Sequence, residues 1–374
     1  MSAPTEPRPL GSPITLYEHA RRLHEQNPDR PLPRDGEPFP VDERHRAQQR
    51  PRRTRDPRAD GVEVASVLDA HFARPDAHAS ELVDALRDLV VPLHRNDHVA
   101  AAALRADRER VQQTGRWLVR NSTDRNAAVV GLALLATDWA EDDIPLIQTI
   151  GLLSNVFGPL AAEALRRRRG GGDALLWLAE RAAGWGRVYV VEALCRNGLS
   201  SAARAWLLRR SCDGDYLNGY FAGEVATTAH LHEAITGGDV DDALIDHTGR
   251  LLRIMAGCSG MGLTLEHYPP APAVLAAHAA HLARQAPSVD RYCEAAAIAD
   301  HLAAEPRREG GSCTAEQRAV LARQYLDVLV RPEWRDAVRA DLDPTSDAFA
   351  WLAGGVATRL GLDVLADRPG DGER

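Results

Sequence analysis

The chain has 374 residues, of which 44% are hydrophobic and 5% aromatic, and its formal net charge at pH 7 is −8. This length supports one large domain or two ordinary domains with a sizeable core. The negative charge argues against a compact basic protein that binds nucleic acid. No segment approaches the roughly 20 apolar residues that a membrane-spanning helix requires, so no membrane partner is expected.

The first 60 residues differ in composition from the rest of the chain. Apolar side chains between Ile14 and Leu23 recur near helical spacing and predict one short helix. Five prolines follow between Pro28 and Pro40, and arginines are then frequent from Arg44 to Arg58. Such a sequence buries too little apolar surface to offset the entropy of ordering it. We therefore predict that residues 1–60 are a mostly disordered arm. Its arginines are interpreted as solvated, with an acidic partner or nucleic acid as the alternative.

From about Asp60 onward the apolar spacing is helical and strand signals are nearly absent. His94 and His98 are four residues apart, as are two ligands in some helical zinc sites. Asn96, however, predicts a helix start between them, and the sequence offers no third ligand. We therefore predict no metal site.

An internal repeat is the most informative pattern in the sequence. The segments Ala162–Arg166 and Val191–Cys195 resemble each other, and each is followed by a Trp-Leu pair, at Trp177 and at Trp206. The offset between the two copies is 29 residues throughout. Each copy predicts two helices joined by a polar turn, and stacking of such pairs buries their apolar stripes. The repeated tryptophans are predicted to be buried spacers between the helices.

This pattern resembles the HEAT-like or armadillo-like α-solenoids, and the resemblance covers about Thr123 to Ile254. It implies an all-α protein of tandem helix pairs with a concave face. The predicted organisation comprises the arm at 1–60, a repeat domain at 61–268, a C-terminal helical extension at 269–366 and a polar tail at 367–374. Within the extension, helices are predicted at 273–285, 289–303, 315–330 and 346–360.

HEAT-like solenoids also include DNA-repair glycosylases for alkylated bases, in which Trp, Asp and Arg line the groove. The residues of this chain that would serve such a nucleic-acid function are Trp139, Asp142, Asp143, Arg166 and Arg167. Acidic residues at a helix start and arginines at a helix end also have an ordinary role in capping and in complementing the helix dipole. The acidic charge of residues 61–374 argues against a glycosylase, because phosphate contacts need a basic groove.

Two loops rich in Gly and aromatic residues follow the clear repeats, at 212–221 and 258–270. Tyrosine and methionine are favoured in interface cores, and solenoids carry insertions on one face. We therefore predict that these loops border a partner-binding surface. The alternative is that their aromatic residues fill gaps where the repeat breaks. The predicted partner-binding residues are Asp213, Tyr216, Tyr220, Phe221, Met261, Glu266, His267 and Tyr268.

The sequence thus predicts a non-enzymatic scaffold that presents a concave helical surface to a protein partner. The acidic charge of the folded part would favour a basic partner. No motif indicates a catalytic residue or a cofactor, and whether the chain has an enzymatic activity stays open. The five cysteines are widely spaced and the N-terminal residues contain no apolar run, so a reducing, cytoplasmic location without a signal peptide is expected.

Overall fold

A computed structural model describes residues 14–40, 61–305 and 311–365. Every regular element in these ranges is helical, and no strand occurs in them. The prediction of an all-α protein is confirmed for this part of the chain. The predicted arginine-rich segment at 44–58 and the polar tail at 367–374 lie outside the described residues. None of the helices described is both long enough and apolar enough to cross a membrane.

The α-helices in chain order are α1 (Leu16–Gln26), α2 (Val62–Phe72), α3 (Ala79–Leu86), α4 (Asp97–Arg105), α5 (Arg108–Asn121), α6 (Arg125–Leu135), α7 (Ile144–Gly151), α8 (Ser154–Arg166), α9 (Gly171–Ala179), α10 (Gly184–Cys195), α11 (Ser201–Arg210), α12 (Ala222–Thr228), α13 (Leu231–Thr236), α14 (Asp242–Gly257), α15 (Ala271–Leu282), α16 (Val289–Ala303), α17 (Ala315–Leu329), α18 (Pro332–Asp341), α19 (Asp347–Trp351) and α20 (Ala357–Arg359). Short 3₁₀ turns at Tyr216–Tyr220 and Leu265–His267 lie in the two aromatic loops.

Contacts divide the chain into two compact units, Met1–Ala203 and Arg204–Arg374. The division does not coincide with the boundaries predicted at residues 60 and 268. In the C-terminal unit, α13 and α14 pack against α15 and α16, so the predicted repeat domain and its extension are joined there. In the N-terminal unit, α1 packs against α5 and α7.

One pair of helix ends has the offset of the repeat found in the sequence. Helices α8 and α10 end at Arg166 and Cys195, which are 29 residues apart, and a second short helix follows each. In the N-terminal unit, α8 and α10 pack closely, and a Cβ atom at Gly186 would overlap the side chain of Ser154. Glycine at this position therefore permits the close approach of the two helices. A regular solenoid arrangement of the whole chain stays a prediction.

The two repeated tryptophans differ in burial. Trp206 is buried, as predicted, whereas Trp177 is only partly buried. The ring of His24 in α1 meets the Trp177 ring edge-on at a centroid distance of 5.2 Å, and the Arg181 guanidinium lies 4.5 Å from its centroid. Trp177 is thus covered in part by α1 and by a cation–π contact.

The N-terminal segment is folded over residues 14–40, which differs from the predicted disordered arm. Helix α1 begins at a capping box formed by Thr15 and Glu18. Further along, the Asp35 carboxylate accepts hydrogen bonds from the Ser154 amide (2.8 Å), the Ser154 hydroxyl (2.7 Å) and the Asn155 amide (2.7 Å). Asp35 therefore satisfies free N–H groups at the start of α8, and this long-range contact ties the segment to the core.

Buried and partly buried arginines donate to the last carbonyl groups of several helices, which lack intrahelical partners. Arg168 donates to the carbonyl oxygens of Leu135 (2.9 Å), Ala140 (2.9 Å) and Ala164 (2.6 Å), and its side chain is fully buried. Other arginines bind carbonyl groups at or next to the ends of α2, α9, α12, α15 and α16, and they are Arg110, Arg187, Arg204, Arg331 and Arg318. The planar guanidinium, with five donors, suits this task better than an ammonium group.

Replacement of Arg168 by lysine is expected to destabilise the protein by about 2–3 kcal/mol, because buried carbonyl groups lose their donors. Chemical denaturation measures the change. Arg169→Lys is the matched control, because Arg169 is 90% exposed and only pairs with Glu141 at 3.3 Å. The control should change stability by less than about 0.5 kcal/mol. Equal effects of the two variants would contradict the role given to Arg168.

A pH-dependent contribution to stability is expected from Asp35. Burial raises the pKa of its carboxyl from 3.8 to about 6, although the hydrogen bonds from Ser154 and Asn155 oppose this. Asp35 therefore binds a proton more tightly in the folded state than in the unfolded state, and protonation at low pH stabilises the fold. This stabilisation is lost as the pH rises from about 4 through about 6. The free energy of unfolding of the natural chain, minus that of Asp35→Asn, should be larger at about pH 5 than at about pH 7. A pH-independent difference would contradict the shift.

Candidate partner-binding groove

A groove with a volume of about 660 Å³ opens on the C-terminal unit. Its walls come from five segments: the 3₁₀ turn at 216–220, the end of α14, the loop at 258–262, α16 and α19. The residues with large or charged side chains that line it are Tyr216, Arg253, Ile254, Met261, Cys293, Asp300, His301, Asp347 and Trp351. The groove is therefore assembled from segments that are distant in the sequence.

Small residues line the remainder of the groove and leave it open. They are Gly219, Ala256, Gly257, Ala297, Ala304 and Ala348. A Cβ atom at Gly219 would lie 2.9 Å from both the Met261 Cε and the Cys258 Cβ atoms. Glycine there allows the two aromatic loops to touch, and the contact sets the position of Met261 at the groove wall.

Large apolar side chains remain accessible at the groove. Tyr216 is 74% exposed and Trp351 is 37% exposed, while Met261 is partly buried. Exposed aromatic surface of this kind is typical of binding sites, because it is covered when a partner docks.

A second cavity of about 460 Å³ continues the groove, since both are lined by Ala256, His301 and Ala304. Glu266 and His267 line this second section. The loop that carries them is fixed from two sides: the Ser312 amide donates to the Glu266 carbonyl at 2.7 Å, and the Thr264 hydroxyl lies 2.7 Å from His267 Nδ1.

Carboxylates outnumber cations among the residues that line the two sections. The carboxylates are Glu266, Asp300, Glu305 and Asp347, and the cations are Arg253 and Arg318. Arg318 is buried and donates to the carbonyl groups of His301 and Ala304. Asp300 is paired with Arg359, whose Nη2 lies 2.8 Å away. With Arg359 counted among the cations, four carboxylates face three guanidinium groups, so one negative charge is in excess.

The two thiols of the groove are poor nucleophiles. Burial raises the pKa of Cys293 to about 11 and also raises the pKa of Cys258 above its usual value. Because the thiolate is the reactive form of cysteine, both groups are protonated and unreactive near neutral pH.

The structure divides the predicted partner-binding residues. Tyr216, Met261, Glu266 and His267 line the groove. The remaining four do not. Asp213 is exposed but accepts hydrogen bonds within its own loop, from Asn218 and the Asp215 amide, and Tyr220 is partly buried.

Phe221 and Tyr268 are buried in the core of the C-terminal unit. The Tyr268 hydroxyl donates to the Ala226 carbonyl at 3.4 Å. Their burial leaves almost no side-chain surface for a partner to contact, which favours the alternative interpretation that they fill space between helices.

Four of the five residues predicted for the nucleic-acid alternative are engaged in local contacts. Asp143 is buried and its carboxylate accepts two hydrogen bonds from Arg116, at 2.6 and 3.2 Å. Arg166 and Arg167 both bind Glu163. Trp139 is 61% exposed and lies under the Arg108 guanidinium at 4.4 Å from the ring centroid, and Asp142 is exposed. Asp143 thus has a structural ion pair and not an open catalytic carboxylate.

His94 and His98 do not share a helical face. Asn96 caps α4, as predicted, and its side chain accepts from the amides of His98 (3.0 Å) and Val99 (3.1 Å), so His94 precedes the helix. Within the described ranges, no group of three or more His, Cys, Asp or Glu residues is arranged to hold a metal ion.

Groove residues that the sequence analysis did not identify come mainly from α16 and α19. Cys293, Ala297, Asp300, His301 and Ala304 lie on one stripe of α16, at helical spacing. The signal available in the sequence was this stripe of small and polar residues, on a helix whose other faces carry apolar residues.

Comparisons of the chain with protein-family models, with curated protein sequences and with solved structures gave no match. The resemblance to HEAT-like or armadillo-like solenoids stays a prediction from the repeat.

Tyr216→Ala and Phe221→Ala are expected to differ sharply in their effects on stability. Loss of the exposed Tyr216 ring should change the free energy of unfolding by less than about 0.5 kcal/mol. Loss of the buried Phe221 ring should cost about 3–5 kcal/mol, because it leaves a cavity. Thermal and chemical denaturation measure both. A large loss for Tyr216→Ala would mean that its ring is part of the core.

Proposed function

We propose that this chain is a non-enzymatic interaction protein whose C-terminal unit binds a basic segment of a partner protein in the groove. The observation that carries the proposal is that Tyr216, Met261 and Trp351, from three distant segments, line one open groove and keep apolar surface accessible. Aromatic and methionine side chains are enriched at interface cores, and methionine adapts its shape to what it contacts.

The charge of the groove favours a partner segment with arginine or lysine. Four carboxylates line its two sections, against Arg253 and Arg318, and Arg359 pairs with one of them, Asp300, which leaves one negative charge in excess. The net charge of the whole chain, −8, has the same sign. Complementary charge speeds the encounter of two proteins and selects among partners.

The groove does not favour covalent catalysis by cysteine. Its two thiols have raised pKa values, so they do not provide an activated nucleophile. The five cysteines form no disulfide, which supports the proposal of a reducing, cytoplasmic location. In this proposal the stacked helix pairs serve as a scaffold with a concave binding face.

Peptide selection tests the proposal. A random peptide library displayed on phage is selected on the full chain, and labelled copies of the selected peptides are titrated by fluorescence anisotropy. The peptides should combine a large apolar residue with arginine or lysine. Their affinity should fall as salt is raised, because charge pairs at the groove rim are screened.

Groove variants link the selected peptides to the site. Tyr216→Ala combined with Trp351→Ala should weaken binding at least about tenfold. Asp347→Asn combined with Glu266→Gln should reduce the salt dependence. Trp139→Ala is the control, because Trp139 is exposed and lies in the N-terminal unit. Unchanged affinity in the Tyr216 and Trp351 double variant would overturn the proposal.

A further inference from the structure

A small apolar pocket of about 50 Å³ lies in the N-terminal unit, where α4, α6 and α8 meet. Val99, Val130 and Leu160 line its interior, and the partly exposed chain at Val91 and Pro92 forms one side. Leu104 also lines the pocket and is 73% exposed. The pocket has the size for one branched apolar side chain, and Leu104 offers apolar surface next to it.

The polar side of the pocket carries an excess of arginine. Three guanidinium groups surround the Glu163 carboxylate, from Arg95 (3.3 Å), Arg166 (3.0 Å) and Arg167 (2.9 Å). Burial of Glu163 opposes its ionisation, but the hydrogen bonds from Arg166 and Arg167 outweigh this and lower its pKa. Asp97 lies 3.8 Å from Arg95.

Arg95 and Arg167 line the pocket and keep part of their side chains exposed. Glu163 and Asp97 are the carboxylates that pair with the three arginines. One positive charge therefore remains uncompensated within this group. A carboxylate placed at the pocket mouth would balance it, and arginine forms paired hydrogen bonds with carboxylates.

A row of aromatic rings continues from the pocket. His94 lines the pocket, and its ring meets the Tyr189 ring edge-on at a centroid distance of 5.0 Å. The Trp185 ring stacks on the Tyr189 ring, with a centroid distance of 6.0 Å and an interplanar angle of 22°. Trp185 is 39% exposed. The apolar surface thus extends well beyond the space that a single side chain fills.

We propose that this pocket binds the C-terminal residue of a partner polypeptide. The terminal apolar side chain enters between Val99, Val130 and Leu160, and the terminal carboxylate binds Arg95 and Arg167. The preceding residues lie along His94, Tyr189 and Trp185. The aromatic row favours a polypeptide over a small free acid, which would leave those rings uncovered. Capture of a chain terminus by its carboxylate is a known mode of peptide recognition.

Labelled peptides test this site without knowledge of the partner. The probe is a mixture of fluorescein-labelled octapeptides that end in Val, Leu or Ile with a free carboxylate, titrated against the full chain by anisotropy. The same mixture with a C-terminal amide is expected to bind at least about tenfold more weakly, because the charge-assisted hydrogen bonds are lost. Equal binding of acid and amide, or no binding of either, would overturn the proposal.

Variants assign the binding to the pocket. Arg95→Gln with Arg167→Gln should weaken the free-acid peptides at least about tenfold and leave the amides unchanged. Arg169→Gln is the control, because Arg169 is 90% exposed and does not line the pocket. Circular dichroism checks that each variant is folded. If N-acetyl-leucine binds as tightly as the peptides, the site takes a small acid and the polypeptide proposal fails.

Discussion

Several helices of this protein end where an arginine binds their last carbonyl groups. A helix end exposes carbonyl groups without intrahelical partners, and burying such an end requires a donor from elsewhere. Arg168 supplies donors to three carbonyl groups at once, and Arg187 and Arg318 each supply donors to two, at the ends of α9 and α16. In the C-terminal unit this has a direct effect on the groove, because Arg318 fixes the end of α16 from which His301 and Ala304 line it. At these ends the guanidinium groups add donors to the backbone N–H groups that already cap the helices.

Local features of the sequence predicted the helices well. The helix at 289–303 was predicted at the bounds where α16 lies, and Asn96 begins α4 as its side chain chemistry requires. The 29-residue offset of the repeat reappears in the ends of α8 and α10. The repeat compares two local patterns, and the helix spacing and the cap depend on residues within a few turns of each other. The anchoring of residues 14–40 does not: Asp35 caps a helix that begins at Ser154, and no spacing rule connects two such residues.

The residues of the candidate groove could also be predicted only in part from local sequence features. Both aromatic loops were predicted to be binding surfaces, and Tyr216 and Met261 do line the groove. Phe221, five residues after Tyr216, is buried. An aromatic residue in a loop gains free energy either by packing in the core or by covering a partner, and composition alone does not distinguish the two. Trp351 forms another wall of the groove, and it lies 90 residues after Met261 in the sequence.

The chain has 45 arginines and no lysine. Every basic side chain described at a helix end or in an ion pair is therefore a guanidinium or an imidazole. This has a chemical consequence at the groove. A carboxylate such as Asp347 that is activated by a carbodiimide forms an amide bond with a primary amine, and no side chain of this protein provides one. An amide bond from that carboxylate to a lysine side chain would therefore identify a lysine of any molecule that occupies the groove.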